Sequence, residues 1–256
     1  MLSGVKLRRI HFLLCFLALV VCLIPFRAAI WSAAMGLTGV ANDRKTVSDR
    51  VKEFGETVHQ RLAPRFSKVG VAYPPKHMTL VGLKQERMLE VWVAGQAGEF
   101  RLLETLPILG ASGTLGPKLA EGDRQVPEGL YRIESLNPNS SFHLALLVNY
   151  PNSFDKAKGK LDGRTNLVSD IMIHGSSASV GCLAMGDQAA EDLFVLAAET
   201  GINNITVILS PVDFRTKALP ATQPSLPSWT PELYAQIKGE LNKLKTQAPN
   251  ATQAQR

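Results

Sequence analysis

From residue 79 onward the chain alternates short apolar runs with brief polar interruptions. Residues 79–84, 88–93 and 100–106 have strand length and composition, and they are broken by Gln85-Glu86 and by residues 96–98. That spacing predicts a three-stranded β-meander. A polar, amphipathic stretch at residues 42–62 precedes it with helical spacing. The Gly- and Pro-rich passage at residues 107–129 is too long for a simple connection and predicts a structured loop beside a cleft. Strand patterns resume at residues 131–135 and 143–149, and residues 171–173 read as a short buried strand with His174 at its end. Asp187 offers an N-cap to a helix that runs through Thr200 and stops at Gly201, and residues 205–209 give a last core strand. After Pro211 the chain reads as a linker, until Thr230-Pro231-Glu232 start a helix reaching about Lys245; it either packs back on the domain or serves a partner. The pattern as a whole predicts a mainly β domain with flanking helices (α+β) over residues 76–212. A helical lead-in at 35–75 precedes it; a linker with the C-terminal helix at 213–245 and a disordered tail at 246–256 follow.

The N-terminus has a different character. Lys6, Arg8 and Arg9 precede an apolar run over residues 10–24 that Pro25 closes, which predicts an export signal. Its length lies between a signal-peptide core and a spanning helix, so residues 1–34 are either a cleaved signal, with Ala34 as the last residue removed, or an inner-membrane anchor with its basic end inside. Lys6, Arg8, Arg9 and Arg27 carry four of the six excess positive charges, which leaves the exported part close to neutral and excludes a nucleic-acid footprint. The spaced glycines Gly110, Gly113 and Gly116 open no βαβ unit, so nucleotide binding is excluded as well.

Export gives the cysteines meaning. Cys15 and Cys22 fall in the apolar segment, and Cys182 is left alone in an oxidising compartment where structural cysteines pair. A lone exported thiol is either buried or kept for its reactivity. One thiol cannot found a Cys-type zinc site, no HExxH is present, and His59, His77 and His143 are scattered, so no metal and no cofactor is expected.

Cys182 stands eight residues after His174 in IMIHGSSASVGCLAMGD. A thiol attacks as its thiolate, and an adjacent imidazole can take its proton. Small residues at 175–179 let the chain reverse and bring the two side chains together. Gly181 permits a backbone that aims the amides of Gly181 and Cys182 at one point beside the sulfur, as an oxyanion hole requires. The competing reading is a buried cysteine and a histidine bonded to a turn.

The order His-Gly, small residues, Ser-x-Gly-Cys-x-x-Met resembles the signature of the YkuD-type L,D-transpeptidases, in particular the short-loop subgroup represented by YafK. Arg87 to Trp92 (RMLEVW), Leu115 to Arg132 (LGPKLAEGDRQVPEGLYR) and Val148 to Asp155 (VNYPNSFD) resemble it too, so the likeness covers about residues 45–210. The resemblance implies a YkuD-like β-sandwich or barrel. It also implies Cys182 as nucleophile, His174 as general base and acid, the carbonyl of Gly175 as orienter of the imidazole, and peptidoglycan stem peptides as substrate. The wider family carries Ser-His-Gly-Cys-x-Arg, and Val180 and Ala184 stand at its second histidine and its arginine here. The catalytic pair survives that departure, while a cation for an acidic donor is lost.

Arg124 and Arg132, which flank the Gly- and Pro-rich loop, are expected to bind acidic wall peptides; Asn149 and Tyr150 to position the stem; and Ser179 to order the nucleophile loop. Three functions fit: a transpeptidase passing a stem acyl group to an amine, a hydrolase passing it to water and so cutting a crosslink or the link to an envelope protein, and an idle wall-binding module. The intact thiol argues against the last. A sortase lacks support because its Thr-Leu-x-Thr-Cys strand is absent, and papain-like enzymes place the cysteine before the histidine. The expected partners are peptidoglycan stems, a wall-linked envelope protein and the inner membrane; the expected compartment is the periplasm or cell envelope.

Overall fold

A computed structural model describes residues 44–220 and 225–245. The expected export segment and the tail at 246–256 lie outside the described residues. Among these residues no helix is long and apolar enough to cross a membrane.

Eight strands form one sheet: β1 (His77–Leu83), β2 (Met88–Ala94), β3 (Phe100–Pro107), β4 (Gly129–Ser140), β5 (His143–Val148), β6 (Ile171–His174), β7 (Leu183–Ala184) and β8 (Ile205–Ser210). Their spatial order is β3-β2-β1-β8-β4-β5-β6-β7. The meander over β1 to β3 is antiparallel as its turns require, while β8 inserts parallel to β1 and antiparallel to β4. The chain leaving β3 then reaches the far edge: Leu109 N–H donates to Ala184 O (2.8 Å), and Ala184 N–H donates to Gly110 O (2.8 Å). These bonds join the two ends of the strand order, so the sheet curls toward a barrel.

Four helices flank it: α1 (Val47–Val69), α2 (Ser153–Leu161), α3 (Asp187–Thr200) and α4 (Thr230–Lys245). The inner cluster holds Leu62 and Phe66 of α1 and Leu193, Phe194 and Leu196 of α3, packed with Leu80, Leu89, Leu146, Ile173 and Leu183. The outer cluster sets Leu233, Ile237 and Leu241 of α4 against Val81, Trp92 and Ile208. Because neighbouring positions of a strand face opposite sides, Leu80 enters one cluster and Val81 the other. The C-terminal helix therefore packs on the domain.

Several boundaries differ from the sequence reading. Helix α1 starts five residues later than expected and runs seven residues beyond Leu62, through Pro64 to the left-handed cap Gly70, because buried Phe66 ties its last turns to the core. Its start is a capping box in which Thr46 Oγ1 accepts the Asp49 N–H and the Asp49 carboxylate accepts the Thr46 N–H. Helix α2 was not expected. It has a second capping box, Asn152 with Asp155, and buries only Gly159. Asp187 is the first helical residue of α3 rather than its cap, which is Gly186. Its carboxylate instead accepts the Ser176 N–H at 2.7 Å. The segment after Pro211 is anchored in its first part, since the Arg215 guanidinium pairs with Glu90 (2.6 Å) and Asp213 (2.7 Å).

Residues 107–129 fold as a compact loop with its own polar interior. Asp123 accepts the N–H groups of Leu119, Ala120 and Gln125 and pairs with buried Lys118. Glu128, fully buried, accepts from Lys84 Nζ (2.8 Å), Gly116 N–H (2.8 Å) and Tyr234 Oη (2.7 Å). Low dielectric strengthens these bonds and penalises breaking any one of them, so β1, the loop and α4 are held as a unit.

Candidate active site

The site is built at the β6–β7 end of the sheet. The two strands run parallel, with Ile173 opposite Leu183 and His174 opposite Ala184. Cys182 directly precedes Leu183, in a bend just outside β7. Ile173 and Leu183 enter the core, while His174 ends β6 and Cys182 stands at the entry to its parallel partner.

His174 is buried, with its ring stacked at 31° on Phe142, centroid to centroid 4.7 Å. Its Nδ1 hydrogen bonds to the carbonyl of Gly175 at 2.6 Å. A carbonyl only accepts, so Nδ1 carries the proton and Nε2 is left with its lone pair. The turn that fixes this geometry is clamped on both sides: Gly175 N–H donates to Leu144 O (3.1 Å) and Met185 N–H to His174 O (2.8 Å). Gly175 itself admits no side chain. A Cβ there would lie 2.6 Å from Asp187 Oδ1 and 2.7 Å from Phe142 O.

Cys182 is a free, partly exposed thiol. Its Sγ donates to Asp170 O at 3.6 Å, toward the beginning of β6, whereas His174 closes the other end of that strand. No hydrogen bond joins the two side chains in this resting geometry. Burial lowers the His174 pKa below the ordinary imidazole value, against the bond to Gly175, and burial raises the Cys182 thiol above its ordinary range. Both shifts favour the uncharged form, so the resting pair is thiol plus neutral imidazole.

The two amides expected to form an oxyanion hole are both engaged in this resting geometry. Gly181 N–H donates to Ser112 Oγ at 2.7 Å, and Cys182 N–H donates to Ser179 Oγ at 3.1 Å. Neither amide is open, because a serine hydroxyl already occupies each. Ser179 also donates to Cys182 O (2.6 Å), which makes it a clamp on the nucleophile's own peptide unit. Sequence reasoning passed over Ser112, a small polar residue in the Gly-rich run with no local pattern to single it out.

The expected substrate residues separate into two places. Arg124 lines a cavity of about 440 Å³ with Lys118, Glu121, Val180, Gly181 and Asp170, the residue whose carbonyl the thiol bonds. Its guanidinium has no hydrogen bond or ion pair among the described residues, whereas Lys118 is committed to Asp123. Arg132, Asn149 and Tyr150 line a separate cavity of about 570 Å³ with Glu134 and Lys156. There the Asn149 Oδ1 accepts the Arg132 N–H (2.8 Å), and the Tyr150 hydroxyl donates to Lys118 O (3.4 Å), so both side chains are engaged in holding strand and loop. Ala184, where the wider family has arginine, is sealed under Gly110. Among the described residues no cluster of His, Cys, Asp and Glu is arranged to hold a metal ion.

This curled, mainly β sheet, with His174 ending β6 and Cys182 directly before β7, falls almost wholly within residues 77–208, which match the family of L,D-transpeptidase catalytic domains (YkuD). The chain belongs to that family. It is 36% identical over 113 residues to YafK of Escherichia coli K12, a provisionally named L,D-transpeptidase; the match covers 43% of each chain. The YafK of Escherichia coli O157:H7 matches equally. The chain thus spans less than half the length of the curated relatives it matches. Among solved structures, the helical cell shape determining protein Pgp2 of Campylobacter jejuni matches at 22% identity and a TM-score of 0.44, over 53% of this chain and 48% of that one. Bd1075 of Bdellovibrio bacteriovorus matches at 16% identity and a TM-score of 0.39, over 66% and 56%.

Proposed function

We propose that this chain is a cysteine acyltransferase acting on peptidoglycan stem peptides in the cell envelope. The observation that carries the reading is the imidazole of His174, which ends β6 with its free nitrogen able to accept a proton, while Cys182 stands at the entry to the parallel neighbour β7.

The neutral resting pair defines how the reaction starts. As a stem amide carbonyl approaches, the Cys182 side chain turns from Asp170 O toward His174, and Nε2 takes the thiol proton as sulfur bonds to the carbonyl carbon. The C–N bond then breaks, and the imidazolium returns that proton to the departing amine. A thioester on Cys182 remains. An acceptor amine attacks it, gives its surplus proton to Nε2 and leaves with the acyl group, and the proton passes back to sulfur. Water in place of the amine gives a free carboxylate instead, which makes the same site a hydrolase of a crosslink or of the link to an envelope protein. Arg124, free and lining the cavity walled by Asp170 and Gly181, takes over the anion-binding duty that buried Ala184 cannot perform. The basic and apolar run at residues 6–24 supports this reading as an export signal, with the substrate outside the inner membrane.

The test is intact-mass and product analysis of the chain mixed with defined stem peptides and a wall-linked protein fragment, with and without an acceptor amine. We expect an adduct on Cys182, followed by a new amide with acceptor present. Release of shortened stem or free protein with no new amide assigns the hydrolase. Cys182→Ala and His174→Ala abolish turnover and leave the fold intact. Full activity in Cys182→Ala refutes the mechanism.

A further inference from the structure

Ser112 sits in the loop over residues 107–129, 69 positions before the glycine it touches. Its hydroxyl makes two short bonds at once: it accepts Gly181 N–H at 2.7 Å and donates to Arg124 O at 2.7 Å. One hydroxyl therefore ties the peptide unit before the nucleophile to the backbone of the residue that lines the adjacent cavity. We propose that Ser112 is a positioning residue, which sets the direction of the Gly181 amide and passes the order of the loop to the nucleophile. The inference rests on the acyl-transfer reading above.

Three observations support it. Gly181 has φ +84, in the left-handed region, so its peptide plane is held by what it bonds to rather than by a strand ladder. The loop that supplies Ser112 is itself stiff. Gln125 Oε1 accepts Thr114 N–H (2.6 Å), Asp123 gathers three further amides, and the base of the loop is pinned by Glu128. A hydroxyl on such a frame has little freedom, and its second bond, to Arg124 O, fixes the direction in which its lone pairs face Gly181.

The chemical consequence follows from the same bonds. When a carbonyl reaches Cys182 and oxygen gains charge, an N–H aimed at that oxygen stabilises it. The Gly181 amide leaves Ser112 for the oxyanion, and Ser112 keeps its bond to Arg124 O throughout. Between turnovers the hydroxyl holds the amide in place against collapse into another partner. The requirement is specific to a step that develops an oxyanion. Alkylation of the same sulfur by iodoacetamide develops none.

The experiment compares the full chain with Ser112→Ala and Ser112→Thr. Deuterium uptake at the peptide containing Gly181 should quicken in Ser112→Ala and return to the parent rate in Ser112→Thr. Acylation of Cys182 by a stem peptide should fall about 100-fold in Ser112→Ala, chiefly in kcat, with threonine restoring most of it. Iodoacetamide should label Cys182 at the parent rate in all three. Unchanged uptake in Ser112→Ala overturns the tether. Acylation that rises shows a hydroxyl that only blocks the amide, and loss of labelling together with acylation shows a loop that has merely collapsed; either result overturns the positioning role. If the parent chain labels with iodoacetamide yet never acylates, the acyl-transfer reading and the role built on it both fall, while uptake alone still judges the tether.

Discussion

The middle of the sheet and its β6–β7 end are built on different principles. Strand β1 pairs with β2 along its whole length, from His77 to Leu83, and with β8 from Met78 to Leu83, and helices cover both faces. At the far end β6 meets β7 only at Ile173–Leu183 and His174–Ala184. Order there comes from single bonds between side chain and backbone: Asp187 on Ser176, Ser179 on Cys182, Ser112 on Gly181. The first spreads its stability over many interchangeable apolar contacts, so any one substitution is absorbed. The second hangs a few atoms on a few bonds, which leaves backbone amides and a thiol near solvent where chemistry can reach them.

A methyl group added in each region breaks this comparison most directly. Gly175→Ala puts a carbon within 2.6 Å of Asp187 Oδ1, which is held by the Ser176 N–H, and 2.7 Å of the Phe142 carbonyl, a backbone atom. The turn must open, and the Gly175 carbonyl that holds Nδ1 moves with it. We expect a loss of about 1–3 kcal/mol of stability, measured by chemical denaturation, together with loss of acyl transfer. Activity close to that of the parent chain means the imidazole is held by something other than this carbonyl.

A smaller effect sharpens the electrostatic side. Burial moves His174 down and Cys182 up, so the pair rests uncharged. The iodoacetamide rate at Cys182 should keep climbing with pH beyond the ordinary thiol range of about 8.5, because thiolate forms only there. A plateau below pH 7 identifies a preformed thiolate–imidazolium pair instead. The shift on His174 also links to folding. An imidazole whose folded pKa is lowered binds fewer protons folded than unfolded, so its contribution to stability is present above about pH 6.5 and is lost as the pH falls toward the folded value.

The same division governs how much the sequence disclosed. Strands β2 and β3 were legible to within a residue because β2 is apolar on both faces and β3 runs from a tight turn to Pro107, and β8 because Ile205 to Leu209 is apolar at every position but Thr206. Helix α2 was hidden: SFDKAKGKL has no apolar stripe, and only its capping box, with Asn152 and Asp155 three apart, marks it. Strand β4 extends to Ser140 through LNPNS, which carries no strand pattern and is recruited by β5 across two bulges. At the site, His174 and Cys182 stood out by residue type and spacing. The partners of the Gly181 and Cys182 amides did not, since a bond across 69 residues is set by how the loop packs and leaves no periodicity behind.

The mildest test lies in the regular part of the molecule. Gly55 is buried in the middle of α1, where a Cβ would meet Val51 Cγ1 at 3.8 Å and His59 Cε1 at 4.0 Å, which is ordinary van der Waals contact. Nothing there needs glycine. Alanine removes backbone freedom from the unfolded chain and restores helix propensity, so Gly55→Ala should stabilise the protein by up to about 1 kcal/mol and leave acyl transfer untouched. The same substitution type then has opposite signs in the two regions: a gain in the helical framework, where packing is redundant, and a loss at Gly175, where a single carbonyl positions the imidazole. If Gly55→Ala destabilises instead, α1 sits more tightly on the sheet than its side-chain contacts require, and the contrast between a tolerant framework and a finely held edge must be redrawn to include the helix.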